Sequence, residues 1–474
     1  MSVDLKNFQT SNNGSLVEKD EVNGGINDNK LINNQINELL LIKSMKEDDK
    51  IDDDENEENK ILTKEKATDQ KHNETKDSHD KNITIIPKQL KQKHMLSVAD
   101  TIISLIIIGP LVIGHWRGVW NLMDYYNIPI SGWTCFLLGT GLHWIFAVLR
   151  GVLHGQFAVT WRSANPIGRG GYRGIRLLYT YIFCVCCNMQ WRGGWIVLSS
   201  LMGENEWVVS AVIVILISLL IIFRSCRNLL APPLIIVVDI PNHIFQFPTR
   251  YRTNTRDWTL YILDCAFSVG IVGTLVVFVW RGVWVLIDLH LFSDNREYSS
   301  IGSLIIGYMT VGVTFCLQPV MRYACGRLQG LPRLLAADVF LFLSFLGTIN
   351  VWRGIWSMLD LWFLPKNVEL SCWITHIGCF VFLGLLNCSN SILVRGVYID
   401  AEEEEGRCVI FPCHYLRLFF KIEREKKEAR QRNLVTISRE YACNDGSSKD
   451  AEHGALLNCT LPTIISNQDG NVQG

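Results

Sequence analysis

Residues 109–125 read GPLVIGHWRGVWNLMDY, an apolar run with Trp116-Arg117-Gly118-Val119-Trp120 inside it and Asp124 four residues further on. The pattern returns as Trp191-Arg192-Gly193-Gly194-Trp195, Trp280-Arg281-Gly282-Val283-Trp284 and Trp352-Arg353-Gly354-Ile355-Trp356. Asp288 and Asp360 take the place of Asp124 in the third and fourth copies, and Ser199 takes it in the second. A motif restated along a chain marks a repeat architecture. Each copy lies toward the end of an apolar stretch of the length, about 20 residues, that a helix needs to cross the hydrocarbon layer.

Eight such stretches are expected to be membrane spans: 98–123, 131–149, 175–200, 206–223, 259–287, 300–321, 334–361 and 370–394. The fourth is the most uniformly apolar, and the third is the weakest because Asn188, Gln190 and Arg192 fall inside it. Loops after even-numbered spans are basic, with Arg162, Arg169 and Arg173 after the second, Arg224, Arg227 and Arg250 after the fourth, Arg322 and Arg327 after the sixth and Arg395 and Arg407 after the eighth. Loops after odd-numbered spans are short and nearly free of Lys and Arg. Basic loops stay in the cytoplasm, so both ends of the chain are expected there.

A coarser repeat lies above the motif. Val238-Asp239 and Phe247-Pro248-Thr249-Arg250-Tyr251 follow the fourth span; Ile399-Asp400 and Phe411-Pro412-Cys413-His414-Tyr415 follow the eighth. The expected fold is therefore an all-α polytopic membrane protein, with eight transmembrane helices as four repeated hairpins in two pseudo-equivalent halves. The halves are 96–256 and 257–432, each ending in a cytoplasmic segment, and any pseudo-symmetry axis should run along the membrane normal. Polar, charge-dense sequence before residue 96, such as Asp52-Asp53-Asp54-Glu55, reads as a disordered cytoplasmic tail, and 433–474 as a second one. The net charge of −1 averages these tails with the apolar core. The opening residues are polar, so the first apolar helix is expected to serve as the targeting signal. Most of the 15 cysteines lie in apolar stretches, which reads as buried thiol rather than a disulfide framework.

Arginine inside a span costs about 2.5–3.5 kcal/mol on insertion scales, so four at equivalent depth need compensation. Arg117, Trp120 and Asp124 are spaced to share one helix face, as are Arg281, Trp284, Asp288 and Arg353, Trp356, Asp360. Each guanidinium is expected to stack on the indole three residues on or to meet a carboxylate of a neighbouring repeat. Gly118, Gly193, Gly282 and Gly354 permit close helix approach. Two readings follow: a structural lattice that neutralises the arginines, or an anion-attracting vestibule with one arginine in surplus. His143 and His376 read as interhelical hydrogen-bonding groups, as do Asn188, Gln190 and Asn350.

No nucleotide loop, paired metal-ligand spacing or Ser/His/Asp arrangement is present in the sequence, so a non-enzymatic protein with no cofactor and no nucleic-acid partner is expected. Arg169-Gly170-Gly171-Tyr172-Arg173 is basic enough to hold anionic lipid, and Lys421 to Arg432 has the composition of a solvated helix.

The four motif copies on eight spans, with the two Phe-Pro-x-x-Tyr segments, resemble the Fuseless family of animal eight-pass membrane proteins over about residues 96–430. The resemblance implies a presynaptic plasma-membrane protein that helps place voltage-gated calcium channels, directly or through a presynaptic scaffold, and supports synaptic vesicle release. It implies no catalytic residues. The alternative reading is a small-solute or anion transporter with its pathway between the two halves.

Overall fold

The computed structural model describes residues 95–126, 131–155, 166–239, 244–253, 255–413 and 415–420, with scattered positions between 423 and 435. The expected N-terminal tail and half of the expected Lys421–Arg432 helix lie outside the described residues, and the described half of that segment is helical. The chain divides into a small unit, 1–92, 150–170 and 240–246, and a large unit, 93–149, 171–239 and 247–474. Of the small unit, only 150–155, 166–170 and 244–246 are described.

The described chain is helical, with no strand among the described residues. Its long helices are α1 (Met95–Tyr125), α2 (Gly132–Leu153), α3 (Pro166–Met202), α4 (Glu206–Ile222), α5 (Trp258–His290), α6 (Arg296–Arg327), α7 (Gly330–Trp362) and α8 (Val368–Leu385). Six of them, all but α3 and α4, are long and apolar enough to cross a membrane. Helix α4 is apolar but only 17 residues long. Helix α3 runs for 37 residues, and Asn188, Gln190 and Arg192 break its apolar character. Each of the eight expected spans falls on one of these helices, yet six meet the length and composition of a span. The last is also shorter than expected. Helix α8 stops at Leu385, and Asn387 turns out of it at φ 58°.

Burial runs opposite to that of a water-soluble bundle. Ile106, Val214, Val339 and Leu385 are among many large apolar side chains more than 60% exposed, while Arg117, Asn188, Arg281, Ser303 and Thr348 are 2% exposed or less. Such an outer surface suits hydrocarbon, where polar groups must be satisfied inside. Thirteen described cysteines are unpaired, and most are buried.

Even-numbered helices begin in the same way. Asn205 accepts from the backbone N–H groups of Trp207 and Val208, Asn295 from Glu297 and Tyr298, Asn367 from Leu370, and Ser131 from Thr134. Each side chain satisfies orphan donors at a helix start, worth about 1 kcal/mol.

The packing partner of a motif helix differs from the expected hairpin. A Cβ on Gly193 of α3 would stand 2.2 Å from the Phe136 backbone nitrogen of α2, and one on Gly118 of α1 would stand 2.6 Å from that of His376 in α8. Gly282 of α5 meets Ile213 of α4, and Gly354 of α7 meets Leu304 of α6. The close contact therefore joins each motif helix to the even helix before it, and α8 closes back onto α1. Backbones approach here because the motif glycine carries no side chain.

Two irregular segments, 223–239 and 386–413, close one end of the bundle by exchange. Asp239 accepts from the backbone N–H groups of Ser389 and Asn390, at 2.9 and 2.8 Å, and from both of their side chains. Asp400 accepts from the backbone N–H groups of Cys226 and Arg227, at 2.6 and 2.8 Å. Ile236 N–H donates to Pro412 O, and Val397 N–H to Pro248 O. Each segment is thus tied to its counterpart from the other half, as in a two-fold exchange.

Candidate functional site

The four motif copies come together on the axis of the bundle, each on its own helix. Trp116, Trp191, Trp280 and Trp352 form one closed ring, with neighbouring centroids 5.6, 5.6, 5.5 and 5.8 Å apart and interplanar angles of 72–79°. Four residues later, Trp120, Trp195, Trp284 and Trp356 form a second ring, at 5.7, 5.6, 6.2 and 5.8 Å and 84–88°. Edge-to-face contact is a preferred arrangement of aromatic quadrupoles, worth about 0.5–1.5 kcal/mol per pair beyond burial. The spacing of four that separates the tryptophans in the motif is one helical turn, which produces two rings rather than one.

The eight indoles enclose a cavity of about 200 Å³ and are its whole lining among the described residues. Trp116, Trp280 and Trp352 are buried, whereas the second ring is half-buried. The first ring is anchored to the exchanged segments: Trp116 Nε1 donates to Ile392 O at 2.8 Å, Trp280 Nε1 to Leu229 O at 3.1 Å and Trp352 Nε1 to Pro232 O at 2.7 Å. A smaller cavity of about 110 Å³ lies between that ring and these segments, with Asn228, Val237, Ser391 and Tyr398 in its wall.

The motif arginines surround the rings without lining either cavity, and it is Arg227 and Arg395 that stand in the wall of the smaller one. Arg117 Nε lies 2.7 Å from Asp360 Oδ1, Arg192 Nε 2.7 Å from Asp124 Oδ1, and Arg353 Nε 2.7 Å from Asp288 Oδ1. In place of a fourth carboxylate, Arg281 donates to Ser199 Oγ at 3.3 Å and to Gly203 O at 2.6 Å. The pairing is cyclic, since each arginine reaches the copy before its own and Arg117 of the first reaches the fourth. Hydroxyl groups supply further acceptors: Ser371 for Arg117, and Ser299 and Ser303 for Arg353. The indoles meet one another edge to face, and the guanidinium groups are taken up by carboxylate, hydroxyl and carbonyl oxygens instead of by the indole at i+3.

Other polar residues singled out in the sequence also find partners. His143 Nδ1 lies 2.7 Å from Gln190 Oε1, and Gln190 Nε2 donates to Val269 O. His376 meets Tyr181 OH at 3.0 Å, Asn188 donates to Cys184 O, and Asn350 Oδ1 accepts from Ser303. Asp100 accepts from the Leu416 backbone and from Arg417, and Asp264 from Tyr251 and Thr253, so the aspartate sixteen residues ahead of the first and third motifs holds the segment around each Phe-Pro-x-x-Tyr tyrosine.

Sequence reasoning missed two features. His115 stacks on His376 at 4.9 Å and bonds its backbone carbonyl; its neighbour Trp116 drew attention only as part of the motif. Asp338, Asp400 and Cys226 bring their ligand atoms within 4.8 Å of one another, all buried. Burial holds the Asp400 carboxyl above its ordinary value and pushes up the Cys226 thiol. Leu177 stands in the place of Asp338 in the first half, fourteen residues ahead of its motif, so the departure from symmetry was the available signal.

No curated protein and no solved structure matches the chain. The Fuseless family matches residues 95–393, which takes in all eight helices, all four motif copies and the first exchanged segment, and leaves out the second Phe-Pro-x-x-Tyr segment. On that match, over well more than half its length, the chain belongs to the Fuseless family.

Proposed function

We propose that this protein is a non-enzymatic organiser of the presynaptic plasma membrane, which helps localise voltage-gated calcium channels and thereby supports vesicle release. All eight helices cross the bilayer in this reading, with both termini in the cytoplasm, in accord with the Lys and Arg bias of the loops. The observation that carries it, beside family membership, is the saturation of the motif. Three arginines are matched by aspartates of neighbouring copies and the fourth by a hydroxyl and a carbonyl, so none is left facing a solute path. A transporter of anions would need such charges along its pathway. The lattice instead makes a rigid membrane platform from which cytoplasmic segments engage a channel or scaffold.

Two measurements test this. In neurons lacking the endogenous family member, the full chain should restore calcium-channel clusters at release sites, and a chain ending at Phe420 should reach the membrane without restoring them. In proteoliposomes the full chain should show no chloride or glutamate flux above that of empty vesicles. Flux abolished by Arg117→Gln or Arg353→Gln would replace the organiser reading with the transporter one.

A further inference from the structure

We propose that the cavity between the two tryptophan rings is a binding site for a quaternary ammonium group. The lining offers no side-chain hydroxyl, amide, carboxylate or guanidinium. Three of the four indole N–H groups of the first ring are turned away to backbone carbonyls. A ligand that needs hydrogen-bond acceptors finds none in the lining, and an anion meets no cationic side chain there. What the cavity offers is π density, which attracts cations that have little hydration to lose.

The dimensions suit such a group. With adjacent rings 5.5–6.2 Å apart and a turn of roughly 6 Å between the tetrads, a point midway on the axis lies about 5 Å from every indole, inside the ~6 Å reach of cation–π attraction. A volume of about 200 Å³ accommodates a trimethylammonium head. The half-buried ring marks the side of entry, and the acids gather at that end. Asp124, Asp288 and Asp360 follow the second-ring tryptophans of their helices by one turn, the first two about half exposed, while Glu206, Glu297 and Glu369 sit in the first turns of the even helices. The motif guanidinium groups are buried between helices and bonded to oxygens. Both a free choline-type amine and the headgroup of a choline lipid carry this chemistry.

The test is calorimetric titration of the full chain in nanodiscs of phosphatidylglycerol, with choline and with its neutral isostere 3,3-dimethylbutan-1-ol. Choline should bind at least tenfold tighter than the isostere. Equal binding of the two, or no binding of choline, overturns the proposal. Trp284→Leu should lower choline affinity tenfold or more, and Trp284→Phe, which keeps a π face, should stay within about threefold of the unmodified chain. If the leucine variant fails to elute as a single species, the choline-to-isostere ratio in the unmodified chain decides alone. A repeat in phosphatidylcholine nanodiscs identifies the source: competition assigns the site to a lipid headgroup, and unchanged choline binding assigns it to a free amine.

Discussion

Asp239 and Asp400 hold the same office in opposite halves. Asp239 receives the backbone N–H groups of Ser389 and Asn390, and Asp400 those of Cys226 and Arg227, so each carboxylate closes the turn that ends the other half's last helix. The chain reverses direction at Arg224 (φ 49°) and Asn387 (φ 58°), and the Asp400 and Asp239 N–H groups donate to the carbonyls of those two residues.

Loss of either cap should be severe. Asp239→Ala leaves two buried backbone donors and two buried side chains without their acceptor, and each unmet buried donor costs about 1–3 kcal/mol. We expect a thermal midpoint in detergent lowered by far more than that of Glu402→Ala. The latter breaks an ion pair whose side chains are 54% and 37% exposed, and such pairs contribute about 0–1 kcal/mol.

Ser199→Asp should stabilise the protein. It supplies the carboxylate absent from the second motif copy, opposite a guanidinium that now rests on a hydroxyl at 3.3 Å. A charge-assisted bond is about twice as strong as a neutral one, so a gain of about 1–2 kcal/mol is expected. Arg192→Gln should be the mildest of the four arginine losses in thermal stability, because its own side chain is the most exposed of the four, at 11% against 6% for Arg353 and 2% for Arg117 and Arg281.

Glycine substitutions should separate sharply within one bundle. Gly193→Ala places a carbon 2.2 Å from the Phe136 backbone nitrogen, which only a helix displacement relieves, and should yield little folded protein. Gly141→Ala meets nothing within 4 Å and lies inside α2; the better helix propensity of alanine should raise stability by up to about 1 kcal/mol. Yield by fluorescence-detected size exclusion checks both.

Stability should fall as pH rises past the carboxylate range. Asp400 has a carboxyl raised by burial, against which the Arg227 and Cys226 backbone groups and Arg227 itself work. A raised acid binds its proton more tightly folded than unfolded. Its contribution is intact below about pH 4 and is lost as pH climbs through the folded value. Asp338, Arg224 and Cys226 also face this group. Asp338→Leu, which installs the residue that the first half carries at that place, should flatten the pH dependence of the thermal midpoint between about pH 4 and 7.

The repeated motif made much of this architecture readable before any coordinates. Tryptophan four residues from tryptophan, with arginine and glycine between, implies one buried seam on each of four helices, and the aspartate at the far end foretells an interhelical pair. Two things were hidden. The hairpin reading follows chain order, whereas tight packing is decided by where a missing Cβ lets backbones meet, and Gly193 meets Phe136 of the preceding helix. Stacking on the indole three residues away and pairing with a carboxylate of a neighbouring repeat were both open to the arginine, and a closed ring of four indoles, available only in three dimensions, leaves the guanidinium to the second. Helix α3 shows the remaining limit. Its Gln190 and Arg192 weaken it as a span and call for partners on other helices, but only the fold shows that these are His143 and Asp124.

Reciprocal capping makes biogenesis of the two halves interdependent. A nascent chain released before Ser389 leaves the ribosome with the 226–227 turn unfastened and the Asp239 carboxylate holding nothing, a state that membrane quality control can recognise. Premature stop codons ahead of that for Ser389 should therefore act as null alleles. Two separately translated fragments divided near residue 256 should rescue one another when made in the same cell, each completing the fastening that the other lacks.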